Sequence, residues 1–496
     1  MSLPNTVDVL VVGGGPVGMA AACTILNNLP QESRASFKLL VVDRNISVHH
    51  IPQNQSRAIG LHARTFEVLA EFVDEPEVRE KQTGIRGRES APILQDAASV
   101  PDRVDSVTQS LLERGILLTK GGLRLSGRPK PILHMKMASA LQDSQFQQIC
   151  CIPQRVTEAV LRARLNALGA NVEGGWTVVD IVKKGREGKV LVTLEHDKLG
   201  RHDVETDFVV GADGGHSAVR QLSGLAFPRQ SMKEPMILAD VKTADERWPF
   251  EYKTLGYEGV EGGDTFCKLG FGLLLPMPGN WLRVAANFLP PDFDPGLNHV
   301  RGPNSGGHVE GHGPTREQMQ WVLDQYLPTD AEWMEGGSGD RSKKPGEIVE
   351  MRWSTVFKIH HGIVRSYLEP ETGRIALIGD AAHVHSPMGG RGLNNGIQDA
   401  TSLGMTLVEN LDSTQEARQT ALQSWADERR KIGLMILNET NQQTVMATLK
   451  NPILQFLRNC LLRLLAFFPS VSREMIRNMT GITSRPEGWK PNLLNA

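Results

Sequence analysis

The sequence has no CxxC pair, and its five cysteines, at positions 23, 150, 151, 267 and 460, follow no regular spacing. That excludes a disulfide framework and a cysteine-built zinc site, and it fits a reducing compartment. Charge of one sign is lacking too. With 54 Lys plus Arg against 56 Asp plus Glu, the formal charge is only −2, which gives no electrostatic case for nucleic acid as a partner. A small molecule is the default partner. The first apolar run starts behind Asp8, has no basic segment before it and breaks at Gly13-Gly14-Gly15; this is not a signal peptide, and a cytoplasmic protein is expected. There is no internal repeat of fixed period. A chain of 496 residues exceeds one ordinary core, so two or three structural units are expected.

Long apolar runs are also scarce. The one late candidate, residues 453–468, contains Arg458 and Arg463, which suits a bilayer span poorly. Helical spacing puts the two arginines near one face and the leucines opposite. The segment therefore reads as a packed helix, with contact at a membrane surface as the less favoured alternative.

What is present begins with residues 7–12, a short apolar run, then glycines, then an alanine-rich stretch over 17–29. That pattern is strand, tight turn, helix. A second apolar run over 37–42 ends at Asp43 and completes a βαβ unit. Residues 178–194 and 204–210 alternate β-branched and polar side chains and lead into Gly211-Ala212-Asp213-Gly214. From about 225 to 365, short apolar runs among Pro, Gly and aromatic residues read as a β-rich unit with long loops. Residues 375–380 return to the buried-strand pattern, and almost everything from 394 onward is helical in character. The nucleotide-binding half is thus discontinuous, with the β-rich unit inserted between its parts.

Gly13-Gly14-Gly15-Pro16-Val17-Gly18 fits G-x-G-x-x-G. Gly13, Gly15 and Gly18 let the backbone approach a pyrophosphate, and the helix that follows aims its N-terminal N–H groups at that charge. Asp43 ends the next strand, where a carboxylate can accept both hydroxyls of a ribose. NAD and the adenosine of FAD both satisfy this fingerprint. Arg44 reads better as stacking over an adenine than as a 2′-phosphate ligand, because Asp43 beside it would repel phosphate.

The stretch from Arg374 to Ala400, RIALIGDAAHVHSPMGGRGLNNGIQDA, resembles the FAD-dependent aromatic hydroxylases related to phenol and pentachlorophenol monooxygenases. The resemblance implies that Asp380 binds the ribityl chain of FAD. It also puts Pro387 beside the flavin ring and backbone contacts at Gly392, Leu393 and Asn394, where a helix N-terminus stabilises negative charge near flavin N1. FVVGADGGHSAVR, residues 208–220, resembles the family's middle FAD segment, with Asp213, Gly214, Ser217 and Arg220; for Asp213 a purely structural role, pinning a turn, weighs equally. Two smaller matches are Arg57, placed by the resemblance near the FAD phosphates and ribityl, and Gln154 after Ile152-Pro153, placed against FAD. No second strand-glycine-helix fingerprint holds a nicotinamide cofactor. Together with the missing CxxC this disfavours disulfide reductases and Baeyer–Villiger enzymes with two dinucleotide folds.

The fold class expected is α/β: a discontinuous Rossmann-like FAD-binding domain (1–74, 131–224 and 366–405), an inserted β-sheet-rich substrate domain (75–130 and 225–365) and a helical C-terminal region (406–496). A C-terminal thioredoxin-like domain, present in several members of the family, is not expected. The resemblance implies that NAD(P)H, a transient co-substrate, reduces FAD, that O2 adds at the flavin C4a position, and that the hydroperoxide hydroxylates a phenolic or polyketide-like aromatic substrate of secondary metabolism. Epoxidation or oxygen insertion on the same scaffold is the alternative, and a non-catalytic protein of this fold is a rival of another class. Flavin halogenases are disfavoured because W-x-W-x-I-P is absent. No catalytic base is evident. Tyr252, Tyr257, Arg352, Trp353 and His360 are pocket-lining candidates. The His308–His312 cluster is a glycine-rich loop and not a metal motif, and His383 and His385 lack carboxylate or cysteine ligands nearby in sequence. Arg391 departs from the glutamine usual in the family and reads as a solvent-facing or structural residue.

Overall fold

The computed structural model describes residues 3–46, 58–79, 100–125, 131–185, 188–245, 261–266, 269–293, 313–325, 346–486 and 489. Arg57, Tyr252, Tyr257 and the His308–His312 cluster lie outside them.

The chain opens with strand β1 (Thr6–Val12), helix α1 (Pro16–Asn28) and strand β2 (Leu39–Asp43). Pro16 sits at the first helical position, where its missing N–H costs nothing. Met19 to Cys23 are wholly buried, so α1 is packed between layers and not amphipathic. There follow β3 (Gly60–Leu61), α2 (Ala63–Phe72), α3 (Pro76–Arg79), α4 (Val107–Arg114), β4 (Ile116–Leu118), β5 (Lys120–Leu125), β6 (Leu133–Lys136), α5 (Met137–Ala140), β7 (Ile149–Cys151), α6 (Gln154–Ala167) and β8 (Val172–Gly174). Then come β9 (Thr177–Lys183), β10 (Val190–His196), β11 (Gly200–Gly211), α7 (Ala218–Leu222), β12 (Arg229–Thr243), β13 (Glu261–Phe266), β14 (Phe271–Met277), β15 (Trp281–Ala286), α8 (Arg316–Asp324) and β16 (Ile348–Ile363). The last elements are β17 (Ile375–Leu377), β18 (His383–Val384), α9 (Arg391–Glu409), α10 (Gln415–Ala447), α11 (Pro452–Ala466) and α12 (Pro469–Met479).

The first sheet runs β8-β2-β1-β11-β10-β9, with β17 beside β11. Strand β11 is 12 residues long, enough for two jobs along one edge: it pairs antiparallel with β10 through Thr206 and parallel with β17 from Val209. Its other edge pairs parallel with β1. Val12 therefore stands opposite both Val42 and Gly211, and Gly211 opposite Leu377. Four parallel strands end together on one edge.

The second sheet runs β18-β16-β12-β15-β14-β13-β5-β6. Helix α8, started by a Thr315–Gln318 capping box, covers one face by packing Met319, Val322 and Leu323 on Ile237, Ala239 and Val284. The other face, with Met236, Leu238, Ala285 and Trp353, continues through Leu273 to a cluster containing Met388 in the loop before α9. A small third sheet, β3-β7-β4, stitches the segments near residues 60, 117 and 150 together.

The inserted unit is β-rich as expected, but its sequence limits shift. Strands β5 and β6 pair across the expected boundary at 130/131, and both stay in the eight-stranded sheet. Val104, Val107, Leu111 and Leu118 bury instead in the core beneath the first sheet, because the apolar face of α4 packs on α6 and α2. The segment 178–194 forms most of the β9–β10 hairpin.

The packed-helix expectation for 453–468 fails. Helix α11 buries Arg458 and Leu462 and leaves Ile453, Leu454, Phe456, Leu457, Leu461 and Leu464 exposed. Arg458 turns inward because its guanidinium donates to the Met446 carbonyl at 3.1 Å, across the turn from α10. Among the described residues no single helix is long and apolar enough to cross a membrane.

Candidate active site

The convergent strand ends carry the residues singled out in sequence. Gly13 follows β1 with φ +116, and an added Cβ would lie 2.3 Å from the Ala212 carbonyl oxygen; only glycine fits. At Gly18 an added Cβ would strike the Gly13 oxygen at 1.9 Å. Gly15 differs, since nothing lies within 4 Å of its Cβ position. Open space thus borders the N-terminus of α1, where N–H groups without intrahelical partners favour an anion.

Asp43, at the tip of β2, accepts from the Gly14 N–H at 2.7 Å through Oδ2 and from the Asn45 N–H at 2.8 Å through Oδ1. The carboxylate is locked beside the glycine turn and half-buried, while Arg44 next to it is exposed. Gln154 begins α6; its carbonyl accepts from the Ala58 N–H at 3.3 Å and its amide donates to Glu158 at 2.7 Å. Burial pushes the Glu158 carboxyl up to about 7, with the Gln154 hydrogen bond and Arg162 opposing and Asp43 adding to the rise.

Asp213 follows β11 and accepts from the Ala218 and Val219 N–H groups at 2.7 and 3.2 Å, capping α7. Burial raises its pKa against those bonds. Arg220 donates to the Gly215 and Ala381 carbonyls, both at 2.8 Å, and lies 4.1 Å over Phe227. These bonds make the 213–220 segment a clamp between two strand ends.

Asp380 lies on the tight turn after β17, and its side chain is exposed at the same sheet edge. Pro387 starts a further tight turn in which Gly389 and Gly390 take φ of 73 and 61 before α9 begins at Arg391. Gly392 and Leu393 are half-buried in its first turn. The Asn394 side chain is spent internally: Oδ1 accepts from His62 N–H at 2.9 Å and Thr65 Oγ at 2.6 Å, and Nδ2 donates to the Gly60 and Gly390 carbonyls at 2.7 Å. It fixes the loop before α9 to the entry of α2.

Of the two readings of Arg391, solvent-facing or structural, the geometry supports the structural one, and the reading of His383 is corrected. Arg391 does not face solvent: its side chain is 4% exposed and ion-pairs with Glu439 of α10, because the helix turn points it into the α9–α10 seam. His383 does have a carboxylate neighbour. Asp399, two turns into α9, lies 2.7 Å from its Nε2 and also accepts from Arg429 Nε at 2.7 Å. Burial alone would raise Asp399, but Arg429 and His383 together hold it below the ordinary aspartate value. His383 Nδ1 and His385 Nε2 are buried without hydrogen-bond partners, and desolvation, with His383 beside it, pushes His385 down to about 3.

Sequence reasoning missed a charged row in the second sheet. Trp353, Asp240 and Arg283 are direct cross-strand neighbours on β16, β12 and β15. Asp240 accepts from Arg283 Nε at 2.6 Å, Arg283 Nη2 at 2.9 Å and Trp353 Nε1 at 2.9 Å, all buried. The available signal was a charge inside each of two apolar runs, MILADV and WLRVAA. Of the other pocket candidates, Arg352 stacks over Trp281 at 3.9 Å, and His360 shares a 2.9 Å hydrogen bond with Ser231.

Open space at Gly15, an anion-favouring helix start, a fixed carboxylate at β2 and an exposed one after β17 suit a long dinucleotide laid along the sheet edge. They define a dinucleotide-binding protein of the doubly wound kind. The chain matches the FAD binding domain family over residues 6–258 and 340–440, and belongs to it. It is 27% identical over 479 residues to rifampicin monooxygenase of Streptomyces venezuelae, covering 96% of this chain and 79% of the relative. To the 12-dehydrotetracycline 5-monooxygenase/anhydrotetracycline 6-monooxygenase of Streptomyces rimosus it is 26% identical, covering 92% and 73%. The crystal structure of p-nitrophenol 4-monooxygenase from Pseudomonas putida shares the fold, with a TM-score of 0.70, 18% identity and coverage of 97% and 100%. The protein is an FAD-dependent monooxygenase, an oxidoreductase that uses O2 and reduced nicotinamide.

Proposed function

We propose that this monooxygenase hydroxylates a small aromatic substrate of phenolic or polyketide type. One oxygen atom of O2 goes to the ring, the other leaves as water, and NAD(P)H supplies the two electrons. The observation that carries the reading is the meeting of two surfaces. The loop between Asp380 and α9 packs on the apolar face of the second sheet, Met388 joining Leu273 and Phe271 in one cluster. Bound FAD would supply the electron transfer and the oxygen activation.

In this reading Gly13, Gly15 and Gly18 admit the pyrophosphate, and Asp43 accepts from the ribose hydroxyls with Arg44 and Arg57 alongside. Gln154 borders the cofactor, and Asp380 accepts from the ribityl chain. The backbone of Gly392, Leu393 and Asn394 faces the flavin ring, with Pro387 shaping that turn. Asp213 positions the segment through α7. The FAD-binding unit comprises the parts bearing these motifs, and the eight-stranded sheet, with its β5–β6 hairpin, forms the substrate unit. Its apolar face excludes water from the reacting atoms. The names of the relatives, which act on rifampicin and on tetracycline precursors, support a polycyclic aromatic substrate.

The test is direct. Purified protein loaded with FAD should oxidise NADPH or NADH faster with a panel of phenols and aromatic polyketides, giving products heavier by one oxygen. Asp380→Ala should lose most of its FAD; normal affinity in that variant would overturn the ribityl assignment. Products of epoxidation or ring expansion would overturn hydroxylation while leaving the cofactor site intact.

A further inference from the structure

Helix α11 is inside out for a helix of a water-filled surface. From residue 453 to 468, eight large apolar side chains are exposed, including Phe467 at 80%, Ile453 at 69% and Phe456 at 63%. Ile453, Phe456, Leu457, Leu461, Leu464 and Phe468 recur at three- and four-residue spacing, so they form one continuous stripe. A stripe of that kind marks an interaction surface. Asn451 caps the helix through the Ile453 and Leu454 N–H groups at 2.9 and 3.3 Å, and Pro452 takes the first helical position. The stripe is therefore displayed on a well-started helix. At the far end the chain bends by 103° into α12, which leaves Phe467 and Phe468 at the corner.

The charge pattern chooses the occupant. Between Glu439 and Glu474 there is no acidic residue, while Lys450, Arg458, Arg463 and Arg473 are basic. Arg463, on α11 among the stripe residues, and Arg473, on α12, are exposed. A second copy of this chain, docked by two-fold symmetry, would set the basic α11 segment against itself, with the exposed Glu474 beside Arg473 as the only carboxylate between 440 and 480 to offset it. An anionic bilayer surface offers apolar depth for the phenylalanines and phosphate or carboxylate groups for the arginines. At 15 residues α11 by itself is too short to span a bilayer, and the 103° bend into α12 keeps the two helices from forming one straight span.

We propose that α11 and the α11–α12 corner form a docking surface for an anionic membrane, lying in the interface plane. The inner side of α11, through Leu462 and Ala466, packs in the same cluster as Met388, Phe271 and Leu123. The docked surface thus adjoins the loop before α9, and an apolar molecule dissolved in the bilayer would meet the protein at that point.

Co-sedimentation of the full-length, FAD-loaded protein with vesicles tests this, using phosphatidylcholine alone and phosphatidylcholine mixed with phosphatidylserine. The wild type should bind the phosphatidylserine vesicles preferentially, and raised salt should weaken the binding. Phe456→Ser combined with Phe467→Ser should abolish it, and Arg463→Glu combined with Arg473→Glu should weaken it by about tenfold or more. A fluorophore sensitive to polarity on the exposed Cys460, in a Cys267→Ser background, should shift to the blue on those vesicles. None of these readouts depends on the hydroxylation reaction, so a failed substrate assignment leaves the test standing. Absence of vesicle binding by the folded wild type would overturn the proposal. So would a dimer that dissociates in the Phe456→Ser, Phe467→Ser variant and never binds lipid, because the face would then belong to a second copy. Equal binding to neutral vesicles would overturn the role of the arginines.

Discussion

Two glycines of one motif separate folding from cofactor binding. Alanine at Gly13 would meet the Ala212 carbonyl oxygen at 2.3 Å and hold φ at +116, at a cost of about 3 kcal/mol or more in stability. Alanine at Gly15 meets nothing within 4 Å and keeps φ at −75, so the apoprotein should lose no more than about 1 kcal/mol, the cost of a poorer N-cap. Its methyl group would instead occupy the space proposed for the pyrophosphate, and FAD affinity should fall by about tenfold or more. Urea denaturation of the apoprotein and FAD titration read the two effects separately; equal loss of stability in both variants would contradict the assignment. Arg391 and Glu439 make a second residue-scale case, because the buried guanidinium is neutralised by a carboxylate that is 30% exposed. Glu439→Gln should uncover the cation and raise the flavin midpoint potential, whereas Arg391→Gln should leave it unchanged or lower it. Spectroelectrochemical titration checks the sign. At this scale Gly13, Asp43 and Asp380 were legible because a fixed motif spacing betrays them. Glu439 and Asp399 were not, since their partners, Arg391 and Arg429, lie 48 and 30 residues away and only helix packing reveals the pairing.

The C-terminal elements are held to the start of the chain by a cluster of ionic contacts. Arg485 pairs with Glu67 of α2 and donates to Asp143 at 2.7 Å, while Arg477 of α12 donates to both oxygens of Asp143 at 2.6 and 3.0 Å. Trp489 lies between Arg64 and Arg485, at 4.3 and 4.7 Å. Arg485→Ala leaves buried Glu67 with Arg64 at 3.1 Å and Ser144 at 2.6 Å, so the loss should be about 2 kcal/mol, below that for a fully orphaned buried charge. Amide exchange should accelerate over α12 and the turn after it while β1 stays protected; uniform acceleration would mean that the contact supports the whole fold and not the C-terminal elements. The βαβ start, the β-rich insertion and the helical end were readable from periodicity. The inward Arg458 and outward leucines of α11 were not, because Arg458 and Arg463 lie five residues, about 140°, apart on the helix, so they do not share the one polar face expected of them and Arg463 stays outside with the leucines.

For the whole molecule, proton linkage sets the conditions under which the fold survives. Desolvation, aided by Arg391, holds His62 at about 3, and desolvation with His383 holds His385 at about 3. Both folded values lie below the ordinary 6.5, so each ring is neutral in the folded protein and protonates on unfolding. Their effect is absent above pH 6.5 and destabilises the fold increasingly as pH falls from there toward 3. Glu158 works oppositely. Its folded value of about 7 exceeds the ordinary 4.5, so the folded protein keeps a proton that the unfolded chain releases, and stability is lost as pH rises from 4.5 to 7. Between pH 4.5 and 6.5 the unfolded state therefore gains up to two protons at the histidines while the folded state holds one extra at Glu158. The net gain of about one proton makes stability fall on acidification by roughly 1.4 kcal/mol per pH unit at most, steepening below 4.5 where Glu158 no longer compensates. Glu158→Gln keeps an acceptor for the Gln154 amide and removes the titration. It should stabilise the apoprotein by roughly 3 kcal/mol at pH 8 and by almost nothing at pH 4. Urea unfolding across that range reads both limits, and a pH-independent gain would show that Glu158 is ionised in the native fold.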